Sequence, residues 1–83
     1  MTAMIFPNPN NGQIVNLYVA GMEGDLKVRV LDATGRVVYN NRYVVEGSIN
    51  TNIDFGQVLA GGVYMVELVQ NGDLQNMRMV VNR

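Results

Sequence analysis

The 83-residue chain contains no cysteine, no histidine and no tryptophan. Without cysteine it has neither a disulfide nor a thiolate nucleophile, and without histidine it lacks the usual imidazole base and zinc ligand. A metal ion would need oxygen ligands, as calcium and magnesium do. The seven acidic residues are scattered singly and do not form the alternating cluster of a calcium-binding loop. These absences argue against an enzyme, a cofactor and a metal site.

Net charge and long apolar runs are also scarce. Six basic residues stand against seven acidic ones, and no basic run occurs, so neither nucleic acid nor an anionic membrane surface is favoured as a partner. No apolar run approaches the roughly 20 residues that cross a bilayer, and the start lacks the features of a secretory signal peptide. The length allows one domain. We assign residues 1–5 to an artificial start or a linker remnant and residues 6–83 to the domain.

Strand signals, by contrast, are plentiful. Polar and apolar residues alternate with the two-residue period of strands that have one wet face, and glycine or asparagine interrupts every window that could form a helix. The residues predicted to face inward are Val15, Leu17 and Val19; Leu26, Val28 and Val30; Ile49, Thr51, Ile53 and Phe55; and Met77, Met79 and Val81. Further strands at 36–45 and 63–70 and a short lead-in at 4–6 bring the count to seven. The sequence therefore predicts an all-β fold, a seven-stranded antiparallel immunoglobulin-like β-sandwich, with a small barrel as the alternative.

Glycine and asparagine mark the predicted turns, because both tolerate the positive φ angles of tight hairpins. The segments ATG after Asp32 and NGD after Gln70 predict hairpins, while GMEG (21–24) and EGS (46–48) predict the remaining corners. In the first hairpin we expect Asp32 to accept hydrogen bonds from backbone donors of the turn. Gly35 would supply the permissive dihedral angle there.

The segment FPNPNNG (6–12) has two interpretations. Each proline fixes φ and removes a backbone donor, so the segment cannot lie inside a central strand. The residue before each proline is pushed toward extended conformations, which makes the segment an extended edge piece that ends in an asparagine–glycine turn. It is either a bent entry into the β domain, with Phe6 anchored in the core, or an address that other proteins read.

The segment LAGGVY (59–64) predicts a corner that leads into an apolar strand. Gly62 would permit a close backbone approach or a positive φ. Tyr64 would bury its ring and direct its hydroxyl to a backbone partner, as a tyrosine corner does. From the residues alone, this corner is structural.

Four motifs follow one another along the chain: PNP with a later glycine, DATGRVV, LxxGxY, and a basic and β-branched finish. The positions that carry them are Pro7, Asn8, Pro9 and Gly12; Asp32, Gly35 and Arg36; Leu59, Gly62 and Tyr64; and Arg78, Val80, Val81 and Arg83. In this order they resemble the C-terminal sorting domain (type A) of the type IX secretion system of Bacteroidetes. The resemblance spans nearly everything from Phe6 to Arg83.

The resemblance implies a non-catalytic signal at the end of a larger secreted protein, with the seven-stranded sandwich of the family. The cargo enters the periplasm by its own signal peptide, and the outer-membrane translocon and its shuttle proteins recognise the folded domain. A sortase-like protease usually removes the domain, and the cargo is attached to the cell surface or released. No cofactor, nucleic acid or membrane insertion is implied.

Recognition without a catalytic group must rest on shape and backbone. The final segment MRMVVNR (77–83) is the predicted edge strand for pairing with a partner, with Arg78 and Arg83 as charges that prevent aggregation. Capture of the carboxylate at Arg83 is a second mode. The alternative function is a free-standing adhesive or carbohydrate-binding module, because asparagine-rich turns and four tyrosines can contact sugar.

Overall fold

The computed structural model covers residues 1–83 and contains five strands and no helix. The strands are β1 (Thr2–Phe6), β2 (Ile14–Leu31), β3 (Val37–Asp54), β4 (Gly62–Gln70) and β5 (Asp73–Val81). Every strand pair is antiparallel, which confirms the predicted all-β antiparallel class. Because helices are absent, none is available to span a membrane.

The long strand β2 organises the sheet. β3 pairs with one edge of β2 from end to end, and β1 and β4 share the other edge. β1 lies along residues 16–20 of β2 and β4 along residues 27–31, and β5 then pairs with β4. Residues 2–5, which the sequence analysis assigned to the stretch before the domain, therefore pair with β2 as part of β1.

The strand count differs from the prediction, because two predicted corners do not interrupt a strand. β2 continues through GMEG and β3 continues through EGS. β2 and β3 pair with each other on both sides of these glycines, and this ladder keeps each strand continuous. One curled five-stranded sheet therefore takes the place of the predicted seven-stranded sandwich. The sheet does not close into a barrel either, since β3 and β5 remain edges.

A β-bulge at Gly21 changes which side chains of β2 face the core. The register shifts between Ala20 and Met22, and Gly21 has a φ of +76°. Because side chains alternate between faces, one extra residue moves all later side chains to the other face. The buried residues are accordingly odd-numbered before the bulge and even-numbered after it: Val15, Leu17 and Val19, then Met22, Leu26, Val28 and Val30.

The curled sheet has two halves, one formed by β1 with the start of β2 and the other by β4 and β5 with the end of β2. One cluster of 17 buried residues forms the core that both halves share. Of the other residues predicted to face inward, Ile53, Phe55, Met79 and Val81 are buried, whereas Ile49, Thr51 and Met77 are half-buried. Phe6 is not anchored in the core as predicted: it is 36% exposed, while Ile5 is 6% exposed. Since neighbours in a strand point to opposite faces, burial of Ile5 directs Phe6 outward.

Candidate recognition site

The four motifs of the sequence meet at one end of the sheet. This end, called the motif pole below, consists of residues 7–12, 32–36, 59–64 and 78–83. The first, third and fourth segments are joined by hydrogen bonds and close contacts, and the second lies across a pocket from the third. Residues that are up to 72 positions apart in the sequence are therefore neighbours here.

Asn8 joins the start of the chain to the last strand. Its side-chain Nδ2 donates to the Arg78 carbonyl at 2.9 Å, and its Oδ1 accepts from the Val80 N–H at 2.9 Å. The amide thus occupies the place of a paired strand on the outer edge of β5. Asparagine suits this task because its side chain carries both a donor and an acceptor.

The backbone of Asn10 continues the same edge. Its N–H donates to the Val80 carbonyl at 3.0 Å, and its carbonyl accepts from the Asn82 N–H at 2.9 Å. The predicted open edge of β5 is therefore wrong for residues 78–82, where residues 7–12, called the Pro–Asn segment below, already fill it. This segment pairs through Asn8 and Asn10 because the prolines have no N–H to offer.

Asn10 also builds the turn that follows. Its Oδ1 accepts from the Gly12 N–H at 2.8 Å and its Nδ2 donates to the Pro7 carbonyl at 3.2 Å. At 6% exposure it is the one buried polar residue of the chain. Asn10 was not among the predicted motif residues, since three asparagines lie between Pro7 and Gly12 and the sequence does not distinguish the buried one.

Gly12 lies where the Pro–Asn segment contacts the third and fourth motifs. A Cβ at this position would be 2.9 Å from the Leu59 carbonyl oxygen and 2.9 Å from Cγ1 of Val81. The Gly12 carbonyl also accepts from the Leu59 N–H at 3.0 Å. Leu59 and Val81 are both buried in the core. Gly12 is therefore required for the close approach of the chain, in addition to its φ of +79°.

The third motif forms the predicted tyrosine corner. The Tyr64 ring is buried, and its hydroxyl donates to the Ala60 carbonyl at 2.6 Å. Gly62 has a φ of +153°, as predicted, but the close approach occurs one residue earlier. A Cβ at Gly61 would lie 3.6 Å from Arg83, which places the residues after β5 beside this corner.

The second motif is a tight turn organised by Asp32. Its Oδ1 accepts from the Thr34 hydroxyl at 2.6 Å and from the N–H groups of Thr34 and Arg36 at 2.9 and 3.0 Å. These hydrogen bonds, led by the Thr34 hydroxyl and assisted by the Arg36 charge, lower the pKa of Asp32 to about 2. The predicted backbone contacts of Asp32 are thus confirmed, and Gly35 has the expected positive φ, +89°.

A pocket of about 260 Å³ separates this turn from the tyrosine corner. Residues 32–34 and Arg36 line one side, and residues 60–64 line the other. Arg36 reaches back to Asp32, with Nε 3.1 Å from Oδ2, while its side chain remains 79% exposed. Arg78 and Arg83 are exposed on the same pole. The pole therefore presents three arginines and a pocket to solvent.

A family model described as the secretion system C-terminal sorting domain matches residues 4–82. The chain belongs to this family. The match confirms the resemblance drawn from the motifs, and it includes nearly all of the motif pole. As a sorting domain, the chain is a signal for secretion, which implies a fused cargo and an interaction with the secretion machinery. No curated protein matches the chain.

The predicted motif residues divide into two groups at the pole. Gly12, Leu59, Tyr64 and Val81 are buried and hold the pole together, and Asp32 and Val80 are half-buried. Pro7, Asn8, Pro9, Arg36, Gly62, Arg78 and Arg83 are exposed, as is Gly35 in its turn. The sequence motifs identify the residues of both groups. They do not indicate which residues are buried, because burial at the pole depends on which segments meet there.

Proposed function

We propose that this sorting domain is the export address of a larger cargo protein and that the type IX outer-membrane translocon and its shuttle proteins read the exposed surface of the motif pole. The observation that carries the proposal is the convergence of all four family motifs at one end of a small fold. A surface assembled from four separate segments exists only in the folded domain. The address is accordingly a folded shape.

The buried and exposed motif residues have different tasks in this proposal. The buried ones position the backbone, and the exposed Pro7, Asn8, Pro9, Arg36, Arg78 and Arg83 contact the partner. Arginine is enriched at protein interfaces because its planar guanidinium makes several hydrogen bonds while its stem packs on apolar surface. β-Augmentation at the end of β5 is no longer the preferred mode, since Asn8 and Asn10 occupy that edge.

The route of the cargo follows the family. The fused protein crosses the inner membrane by its own signal peptide, folds in the periplasm and is exported through the outer membrane. A sortase-like protease then cuts before the domain, and the cargo is attached to the cell surface or released. The domain contributes recognition at each step and no reactive group.

A fusion experiment tests the proposal. Residues 1–83 are placed behind a fluorescent protein that carries a periplasmic signal peptide, and export is measured in a type IX-competent strain and in a translocon mutant. We expect export only in the competent strain. Substitutions Arg36→Ala and Arg78→Ala, made separately, are expected to lower export several-fold, because each removes an exposed cation of the pole.

Lys27→Ala is the matched control, since Lys27 is an exposed strand cation outside the motifs. Circular dichroism of each isolated variant establishes that the sheet is retained. Equal export by the pole variants and the control would place recognition elsewhere on the domain. Export in the translocon mutant would overturn the proposed function itself.

A further inference from the structure

β3 has one edge without a neighbour along all of its 18 residues. It pairs with β2 and lies near no other strand. β5 is the other long edge, but the Pro–Asn segment covers its last part. β3 therefore offers the longest site at which a further strand can add.

The backbone groups at the open edge of β3 belong to its even-numbered residues. The Arg42 N–H donates to the Asn41 side chain at 2.8 Å, whereas the Phe55 N–H donates to Gln13 on the β2 side at 3.1 Å. Since these groups alternate in direction along a strand, Val44 and Glu46 direct theirs to the open edge together with Arg42. An added strand would pair with these three residues.

Two cross-strand pairs of like charge lie on the outer face of β2 and β3. Lys27 is opposite Arg42, and Glu23 is opposite Glu46. All four side chains are exposed, and none takes part in an ion pair. Like charges directly opposite each other destabilise a sheet. In a monomer, both pairs therefore weaken the β2–β3 ladder.

Val44 lies midway between Arg42 and Glu46, two residues from each. It is 70% exposed, the highest value of any large apolar residue in the chain. An antiparallel copy of β3 centred on Val44 would place the two Val44 side chains in contact. It would also place Arg42 opposite Glu46 of the second copy, and Glu46 opposite Arg42 of the second copy. We propose that two copies of this chain dimerise through β3 in this register.

The dimer extends the sheet across both molecules, and its two-fold symmetry makes every contact twice except the central one between the two Val44 side chains. One row of the joined sheet contains Lys27 and Arg42 from one copy, then Glu46 and Glu23 from the second. Neighbouring strands are about 4.8 Å apart, so each like-charged pair gains an oppositely charged pair beside it. In the dimer, the repulsion within each like-charged pair is therefore offset by attraction to the oppositely charged pair of the second copy.

The arrangement differs from the usual protection of an edge strand. Charges of one sign repel a second copy and so prevent edge-to-edge pairing. In β3, Arg42 and Glu46 instead place opposite charges at equal distances on either side of Val44, which attracts an antiparallel copy. The Asn41 side chain holds the Arg42 N–H in the monomer, and the Glu46 carbonyl of the second copy takes its place in the dimer.

Sedimentation analysis of the 83-residue chain over a range of concentrations tests this inference, which does not depend on the proposed function. The unaltered chain is expected to form dimers that added salt weakens. Arg42→Glu and Glu46→Arg are each expected to raise the dimer dissociation constant about tenfold or more, because both interfacial ion pairs become repulsive. Each substitution also replaces a like-charged pair of the monomer with an opposite pair, so the fold is retained.

Mixing the two single variants gives the sharpest result. One variant then has two acids at the edge and the other has two bases, so the equimolar mixture is expected to form a heterodimer. The double variant is expected to dimerise as the unaltered chain does. Asp73→Arg makes the same charge change as Glu46→Arg on the exposed β4–β5 hairpin and is expected to leave dimerisation unchanged. A monomeric unaltered chain, or single variants that dimerise equally well alone, would overturn the inference.

Discussion

Gly12 shows how one residue can determine the assembly of the motif pole. An added Cβ would meet a backbone oxygen and a core methyl group, both at 2.9 Å, and the residue has a left-handed φ. We predict that Gly12→Ala lowers the free energy of unfolding by at least about 2 kcal/mol, from backbone strain and the clash together. Urea denaturation measures the loss.

Gly56→Ala separates these two causes. Gly56 has a similar φ, +70°, but a Cβ there has no neighbour within 4 Å. In this control, the free energy of unfolding is expected to fall only by the cost of a left-handed φ in alanine, about 1 kcal/mol. Equal losses at the two positions would show that the contacts with Leu59 and Val81 are not what requires a glycine at position 12.

Asp32 makes stability depend on pH at the acidic end. Its pKa is lowered to about 2 in the folded chain, from 3.8 when unperturbed. The stabilisation by the carboxylate is therefore complete above about pH 4 and is lost as the pH falls toward 2. We predict that Asp32→Asn has a shallower decline in melting temperature across this interval than the unaltered chain.

The matched substitution is Asp73→Asn, which removes an exposed carboxylate outside the motif pole. Thermal unfolding followed by circular dichroism at closely spaced pH values compares the three proteins. If Asp32→Asn and the unaltered chain declined in parallel, the Thr34 and Arg36 contacts would not be stabilising the charged form of Asp32.

At the scale of elements, the Pro–Asn segment protects the end of β5 without being a strand. The Asn8 amide makes two of the hydrogen bonds to this edge, and the Asn10 backbone makes the other two. Asn8→Ala would leave the Val80 N–H without its partner, at a local cost of about 1–2 kcal/mol. We predict roughly tenfold faster hydrogen exchange of the Val80 amide, measured by NMR.

Asn50→Ala is the control for this prediction, because Asn50 is an exposed strand asparagine remote from β5. Its substitution is expected to leave the exchange of Val80 unchanged. An unchanged exchange rate in Asn8→Ala would mean that the backbone of Asn10 alone protects this edge.

At the scale of the whole molecule, both halves of the curled sheet share one core. Leu17 lies in the first half of β2 and Leu68 in β4, and both are fully buried. We predict that Leu17→Ala and Leu68→Ala each cost about 2–5 kcal/mol and lower a single unfolding transition. Calorimetry checks this: two separate transitions in either variant would mean that the halves fold independently.

The periodicity of the sequence predicted the strands well, because the facing of a side chain is a local property. Val15, Leu17 and Val19, and likewise Leu26, Val28 and Val30, are buried as the alternation requires. Asp32 and Tyr64 also make the predicted bonds, since both act within four residues. The strand count was wrong because a glycine need not mark a turn: Gly21 is a bulge in β2, and Gly47 is a paired residue within β3.

The sequence by itself determined the all-β class, the inward faces, the Asp32 turn, the tyrosine corner and the family motifs. All of these depend on residue identity and on contacts between near neighbours in the chain. Only the tertiary structure decided that Asn8 covers the edge of β5, that the motifs share one pole and that charges of like sign stand opposite each other on β2 and β3. These depend on the register between distant segments, where a shift of one residue moves every side chain to the other face.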